Sequence, residues 1–337
     1  MSRPTLKDIA EATGYSVSTV SRALADSAQI SERTRHRIHE VSRRLGYQAD
    51  PIGSLLRTPR PRVIGLLCVL GQELHVVYRD HLLAEAESRN LRVVTESIGP
   101  FRTAVDAVSN LRQLRCQALV VIDPATAAGA DPGLLDGAVV IGQERGIPGA
   151  DLVTSDNTRG MDQLVAHLAS LGHRRLVYVD SVPGASAAAR LRSFTRAADH
   201  AGISYRVVAG GADIDAGLAA VAPLLGEGGP LSPGAADRHT GVVCYNDQCA
   251  QGAIIAILRA GLRPGTDISV AGVDNSRLAS SSAFDLTSID RCPGQVARLA
   301  VDLAEARIES GTSSGPLQTL TVDTSLVARS STGPAPQ

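Results

Sequence analysis

Thr5-Leu-Lys-Asp-Ile-Ala-Glu-Ala-Thr-Gly14-Tyr-Ser-Val-Ser-Thr-Val-Ser-Arg-Ala-Leu24-Ala25 is the stretch from which the rest of the chain is read. Thr5 with Asp8 three residues later forms a capping-box pattern, and Leu6, Ile9 and Ala10 then fall on one helical face. Gly14 supplies the positive φ that turns the chain out of that helix. Ser16 caps a second helix, in which Val20 and Leu24 face inward. Val17, Ser18, Ser21 and Arg22 are left outward near its start. Two short helices broken in this way are the layout of a helix-turn-helix, whose second helix enters the major groove of duplex DNA. Arg22 suits bidentate recognition of guanine, and Val17 suits a thymine methyl.

Working outward, Ser31 to Gly46 reads as a third helix with a serine cap, an apolar stripe of Ile38, Val41 and Leu45, and a terminating glycine. Residues 1–62 hold 11 Lys and Arg against 6 Asp and Glu, whereas the remainder holds 22 against 28. A basic head on an acidic body is the asymmetry that phosphate binding requires. Residues 48–61, rich in Pro and Gly, read as a linker in which Asp50 caps and Pro51 begins a short hinge helix.

The other residues alternate between apolar runs and helical periods. Strands are expected at 63–70, 92–96, 117–122, 138–141, 175–179, 241–245 and 268–273, with helices near 78–90 and 103–114. This order predicts α/β architecture, with parallel sheets covered on both faces, and its length predicts two lobes. Ligands in such folds sit beyond the carboxyl ends of the strands, which directs attention to Asn246-Asp247 and Asp274-Asn275. Asp247 is expected to cap the helix after it. Five dispersed cysteines (Cys68, Cys116, Cys244, Cys249, Cys292) have neither disulfide nor zinc spacing. No signal-type or membrane-spanning run occurs, so a cytoplasmic protein is expected, with no membrane partner. No phosphate-binding glycine loop, nucleophile elbow or metal spacing is present, and no enzyme activity, cofactor or metal is expected.

Several motifs occur together in one order: T-L-K-D-I-A at 5–10, S-x-x-T-V-S-R at 16–22, S-E-R-T-R at 31–35, S-D-N at 155–157, L-G-H-R-R at 171–175, R-L-R-S-F at 190–194, Y-N-D-Q at 245–248, the run 261–275, L-T-S-I at 286–289 and S-T-G-P at 331–334. Over nearly its whole length the chain resembles the LacI family of bacterial transcriptional regulators. The resemblance implies an all-α helix-turn-helix headpiece (1–47), a hinge (48–61) and a two-lobed α/β core of the type I periplasmic-binding-protein-like kind (62–337). The lobes are expected at about 62–157 with 290–318, and 158–289 with 319–331. It implies a homodimer on a palindromic double-stranded DNA operator, most simply a repressor, controlled by a small effector such as a sugar or related metabolite. A protein coregulator, loss of effector control, and a soluble solute-binding protein are the competing readings.

The residues that resemblance and position nominate for DNA are Thr5, Leu6, Ser16, Val17, Ser18, Thr19, Ser21, Arg22, Ser31, Thr34 and Tyr47, with Asp50, Gly53 and Leu56 in the hinge. Those matching family effector contacts are Arg190, Asn246 and Asp274, which suit polyol chemistry as a donor fork, an amide and an acceptor. Elsewhere the pattern departs. After the first core strand stand Gln72, Glu73 and His75 instead of an Asn-Pro-aromatic segment, Gln143 replaces a common aspartate, and Arg291 replaces a common glutamine, which favours an acidic or phosphorylated ligand. Of nine aromatic residues, Tyr245 and Phe284 lie nearest these motifs and are candidates to stack on a sugar.

Overall fold

The computed structural model describes residues 4–24, 27, 29–47, 61–311 and 315–336, in two units, Met1–Pro61 and Arg62–Gln337. In the first, α1 (Leu6–Thr13), α2 (Val17–Leu24) and α3 (Glu32–Leu45) surround Ile9, Val20, Ala23, Ile38 and Val41. Full burial of each Val or Ile stabilises the unit by about 1.5–3 kcal/mol, a large share for so small a core. The caps are those the sequence predicts. The Thr5 amide donates to Asp8 Oδ2 at 2.6 Å, the Thr19 amide to Ser16 Oγ at 3.1 Å, and the Thr34 amide to Ser31 Oγ at 3.4 Å. Gly14 ends α1 at φ +74°.

The second unit holds two six-stranded sheets. The first comprises β1 (Val63–Cys68), β2 (Arg92–Ser97), β3 (Ala118–Ile122), β4 (Val139–Ile141), β5 (Asp151–Ser155) and β11 (Thr319–Val322), in the order β11-β5-β4-β3-β1-β2 and parallel throughout. The second comprises β6 (Arg175–Val179), β7 (Ser204–Val208), β8 (Gly241–Cys244), β9 (Ser269–Val273), β10 (Thr287–Asp290) and β12 (Ser325–Val327), in the order β12-β10-β9-β8-β6-β7, with only β12 antiparallel.

Helices cover both sheets, α5 (Ala104–Gln113) lying with the first and α8 (Ile214–Val221) with the second. Helix α4 (Glu73–Ser88) starts earlier than the expected 78, because Leu74, Tyr78, Leu82 and Ala86, each four residues apart, lie along the first core together with Val296, Ala300 and Leu303 of α10 (Pro293–Ser310). In the second lobe α6 (Asn157–Ser170) and α7 (Ala185–His200) bury Leu164, Leu168 and Phe194 on one face of the sheet. On the other face α9 (Asp247–Arg259) buries Cys249, Ala253 and Ile257. Two of the sequence motifs meet at the base of this lobe. His173 is fully buried, its Nδ1 2.7 Å from Thr240 Oγ1 and its Nε2 3.1 Å from the Gly333 carbonyl.

The chain crosses between lobes three times, after β5, after β10 and after β11. The last crossing corrects the expected boundary. Residues 319–322 pair with β5 in the first sheet, and only after Asp323-Thr324 does β12 join the second. Among the described residues no helix is long and apolar enough to cross a membrane.

Candidate nucleic-acid interface and ligand cleft

On α2 the buried side is Val20 and Ala23, and the opposite side presents Val17, Ser18, Ser21 and Arg22 to solvent, all within the first turn and a half. Ser16 Oγ lies 2.9 Å from Ser18 Oγ and 2.8 Å from Thr19 Oγ1, so the start of the helix is a cluster of hydroxyls. Thr5, Ser31 and Thr34 use their side chains in caps at the ends of α1 and α3. Leu6 and Tyr47 rest against the small core, leaving only part of each side chain exposed. The hinge candidates Asp50, Gly53 and Leu56 lie outside the described residues.

In the core, a cleft of about 770 Å³ is lined from both lobes by segments that follow strands: Val69 after β1, Ile98 after β2, Asp123 to Ala130 after β3, Ser181 to Ala187 after β6, and Tyr245 after β8. It adjoins a recess of about 60 Å³ lined by Gln72, His75, Tyr78, Asp123, Ser186, Arg190, Tyr245, Asn246, Asp274 and Arg291. Seven of the ten effector candidates therefore converge there.

A buried charge cluster organises the recess. Arg190, on α7, is 3% exposed. Its Nη1 donates to the Tyr245 carbonyl at 2.6 Å and its Nη2 to Asp274 Oδ1 at 3.2 Å, while its guanidinium carbon sits 4.4 Å from the Tyr245 ring centroid. Asp274 reaches this partner because the backbone leaves β9 at φ +114° and then +47° at Asn275. Non-glycine residues in such conformations cost about 1–3 kcal/mol each and persist where the surroundings enforce them. Burial pushes the Asp274 carboxyl above its ordinary range, and the Arg190 and Arg291 guanidiniums oppose that shift.

His75 is a neutral donor. Its Nδ1 accepts the Val69 amide at 3.1 Å, which puts the ring proton on Nε2. Burial draws its pKa down to about 4, Asp123 acting against that shift and Arg291 with it. Asn246, and not Asp247, caps α9: its Oδ1 accepts the Cys249 amide and its Nδ2 donates to the Ala212 carbonyl, both at 2.9 Å. The expected cap is thus one residue off. Asp247 turns inward, where Oδ2 accepts the Ser276 amide at 2.7 Å and Oδ1 the Ser288 hydroxyl at 2.6 Å. Burial and the nearby Asp274 charge push its carboxyl well up. Its place was hidden in the sequence because Asn and Asp are equally good caps. Gly272 was the available signal: a Cβ there would come within 2.3 Å of Asp247 Oδ1.

Three candidates do not line the cleft or recess. Glu73 lies between the lobes, its amide donating to Gln248 Oε1 at 3.1 Å and its Oε1 accepting the Leu278 amide at 3.3 Å. Gln143 is held by the Ser155 carbonyl and Asn157 Nδ2 beside the first crossing. Phe284 packs against the second-lobe core, since an apolar ring gains more from burial there than from a polar cleft.

Residues 5–50 match the model of the bacterial regulatory proteins of the lacI family, and residues 165–332 match a periplasmic binding protein-like domain. The regulator GalS of Salmonella typhimurium is 28% identical over 312 residues, 89% of this chain and 88% of that one. DegA of Bacillus subtilis is 23% identical, with 85% and 86% covered. Among solved structures, a LacI transcriptional regulator from a Rhodococcus species is 31% identical, with a TM-score of 0.72 over 81% of this chain and 99% of that one. The lac repressor dimer bound to operator and an anti-inducer shares the fold at 24% identity, with a TM-score of 0.77 over 98% and 100%. A helix-turn-helix unit and a two-lobed core matched along nearly their full length place this chain in the lacI family of bacterial regulatory proteins, as a DNA-binding transcriptional regulator.

Proposed function

We propose that the protein is a cytoplasmic repressor that binds a palindromic operator as a homodimer and is released or recruited by a sugar or related polyol. The observation that carries the effector half is the Arg190–Tyr245–Asp274 cluster, a buried donor and acceptor pair over an aromatic ring, set where strands of both lobes end. Paired hydroxyls of a polyol match such a set, with Asn246 and His75 adding an amide and a ring N–H. On the DNA side, Arg22, Ser18 and Val17 read bases, and the capped starts of the helices hold phosphates. Filling the cleft from both lobes favours one relative lobe orientation. The resulting coupling to DNA is on the order of 1–3 kcal/mol, a 5- to 150-fold change in operator affinity.

The test is selection of genomic fragments by the full-length protein, followed by titration of the enriched site with sugars. The expected result is an inverted repeat with a central pyrimidine–purine step, the type of step that kinks most easily, and at least one sugar that shifts affinity within that range. Uniform recovery of fragments at every sugar tested would refute the proposal.

A further inference from the structure

Arg291 is left over once the recess is accounted for. Its side chain is 6% exposed, its Nε has no hydrogen-bond partner among the described residues, and its nearest acid oxygen, Asp274 Oδ1, is 3.9 Å from Nη1. That oxygen already takes Arg190 at 3.2 Å. One carboxylate therefore faces two guanidiniums, and Arg190 holds the shorter contact together with the Tyr245 carbonyl. The other carboxylate of the recess, Asp123, forms no ion pair among the described residues; it accepts the Ala125 amide at 2.9 Å and the Ser186 hydroxyl at 3.4 Å and keeps lone pairs for a ligand.

A guanidinium cannot lose its proton at any ordinary pH, so it cannot relieve burial by becoming neutral. A buried cation without a hydrogen-bonded anion is costly, and the cost is removed when a ligand brings the anion. Resting on the effector reading above, we infer that the ligand of this cleft is a polyhydroxylated molecule carrying one anionic group, carboxylate or phosphate, and that Arg291 holds that group. The hydroxyls then fall to Asp123, Asn246 and the Arg190–Asp274 pair. Arg291 is a specificity-determining residue, selecting acids over their neutral parents.

Isothermal titration of the full-length protein with glucose, galactose, gluconate, galactonate, glucuronate and glucose 6-phosphate tests this. The acids are expected to bind at least about 10-fold tighter than the neutral parents, as one charge-assisted hydrogen bond provides. Carboxylate against phosphate ester then separates the two sources of charge. Arg291→Gln is expected to bring the acid-to-neutral ratio to about one, a ratio that a merely structural role would not move. Neutral sugars binding as tightly as the acids in the wild-type protein would overturn the inference and leave the effector reading standing. Binding of none of the six would overturn both.

Discussion

Arg190 makes three contacts within the protein itself. It binds a carbonyl, a carboxylate and an aromatic face at once, and that fixes its fork for a ligand. Truncating one member of such a buried pair leaves the other uncompensated. Asp274→Ala and Arg190→Ala should each destabilise the core by about 3–5 kcal/mol in urea unfolding, and the double variant by clearly less than their sum; strict additivity would show that the pair is not coupled. His75 gives a pH signature. Its folded pKa, about 4, lies below the ordinary 6.5, so between these values the unfolded chain binds the extra proton. Stability that is present above pH 6.5 is lost as pH falls towards 4, by up to about 3 kcal/mol. His75→Gln should flatten that part of the stability profile, and an unchanged slope would contradict the assignment. Asn246 and Asp274 were legible in the sequence because each follows the end of an apolar strand, whereas Arg190, six residues into α7, was reached only through the family resemblance. Asp247 and Phe284 were not, because the direction a side chain takes after a strand is set by neighbours distant in sequence, Ser276 and Ser288 for the former.

Among the elements, the helix starts of the headpiece were the most legible part. A cap is a local interaction over three residues, and Thr5, Ser16 and Ser31 all sit where the spacing puts them. Strands β5, β7, β10, β11 and β12 were not legible, because polar residues interrupt their short apolar runs and their partners are chosen by the sheet, whereas the equally short but apolar β4 and β8 were. Gly14 sets the turn between α1 and α2. Its φ is +74° and nothing lies within 4 Å of a Cβ added there, so Gly14→Ala introduces backbone strain alone. A loss of about 1–2 kcal/mol in headpiece stability is expected, visible as faster amide exchange in α1 and α2 with no change in the core. Equal protection in both proteins would mean that the turn tolerates the side chain.

For the whole molecule, the two units have separate cores and should respond separately to a ligand of the cleft. At 100 times its Kd such a ligand adds about 2.7 kcal/mol to the stability of the unit it binds. Calorimetry of the free protein should show the core transition rise and the headpiece transition stay where it was; a joint shift would show that the units melt as one. Within the core, the three crossings at 156, 291–292 and 323–324 join lobes that otherwise touch through contacts such as Glu73 with Gln248 and Leu278. A gate hung on three pins swings in one plane and resists twisting, so ligands of different size should differ in how far the lobes travel and not in which way. Arg291 belongs to the middle pin. Whatever it grips is fastened to the axle as well as to the leaves, and a small molecule seated there acts where the least material has to move.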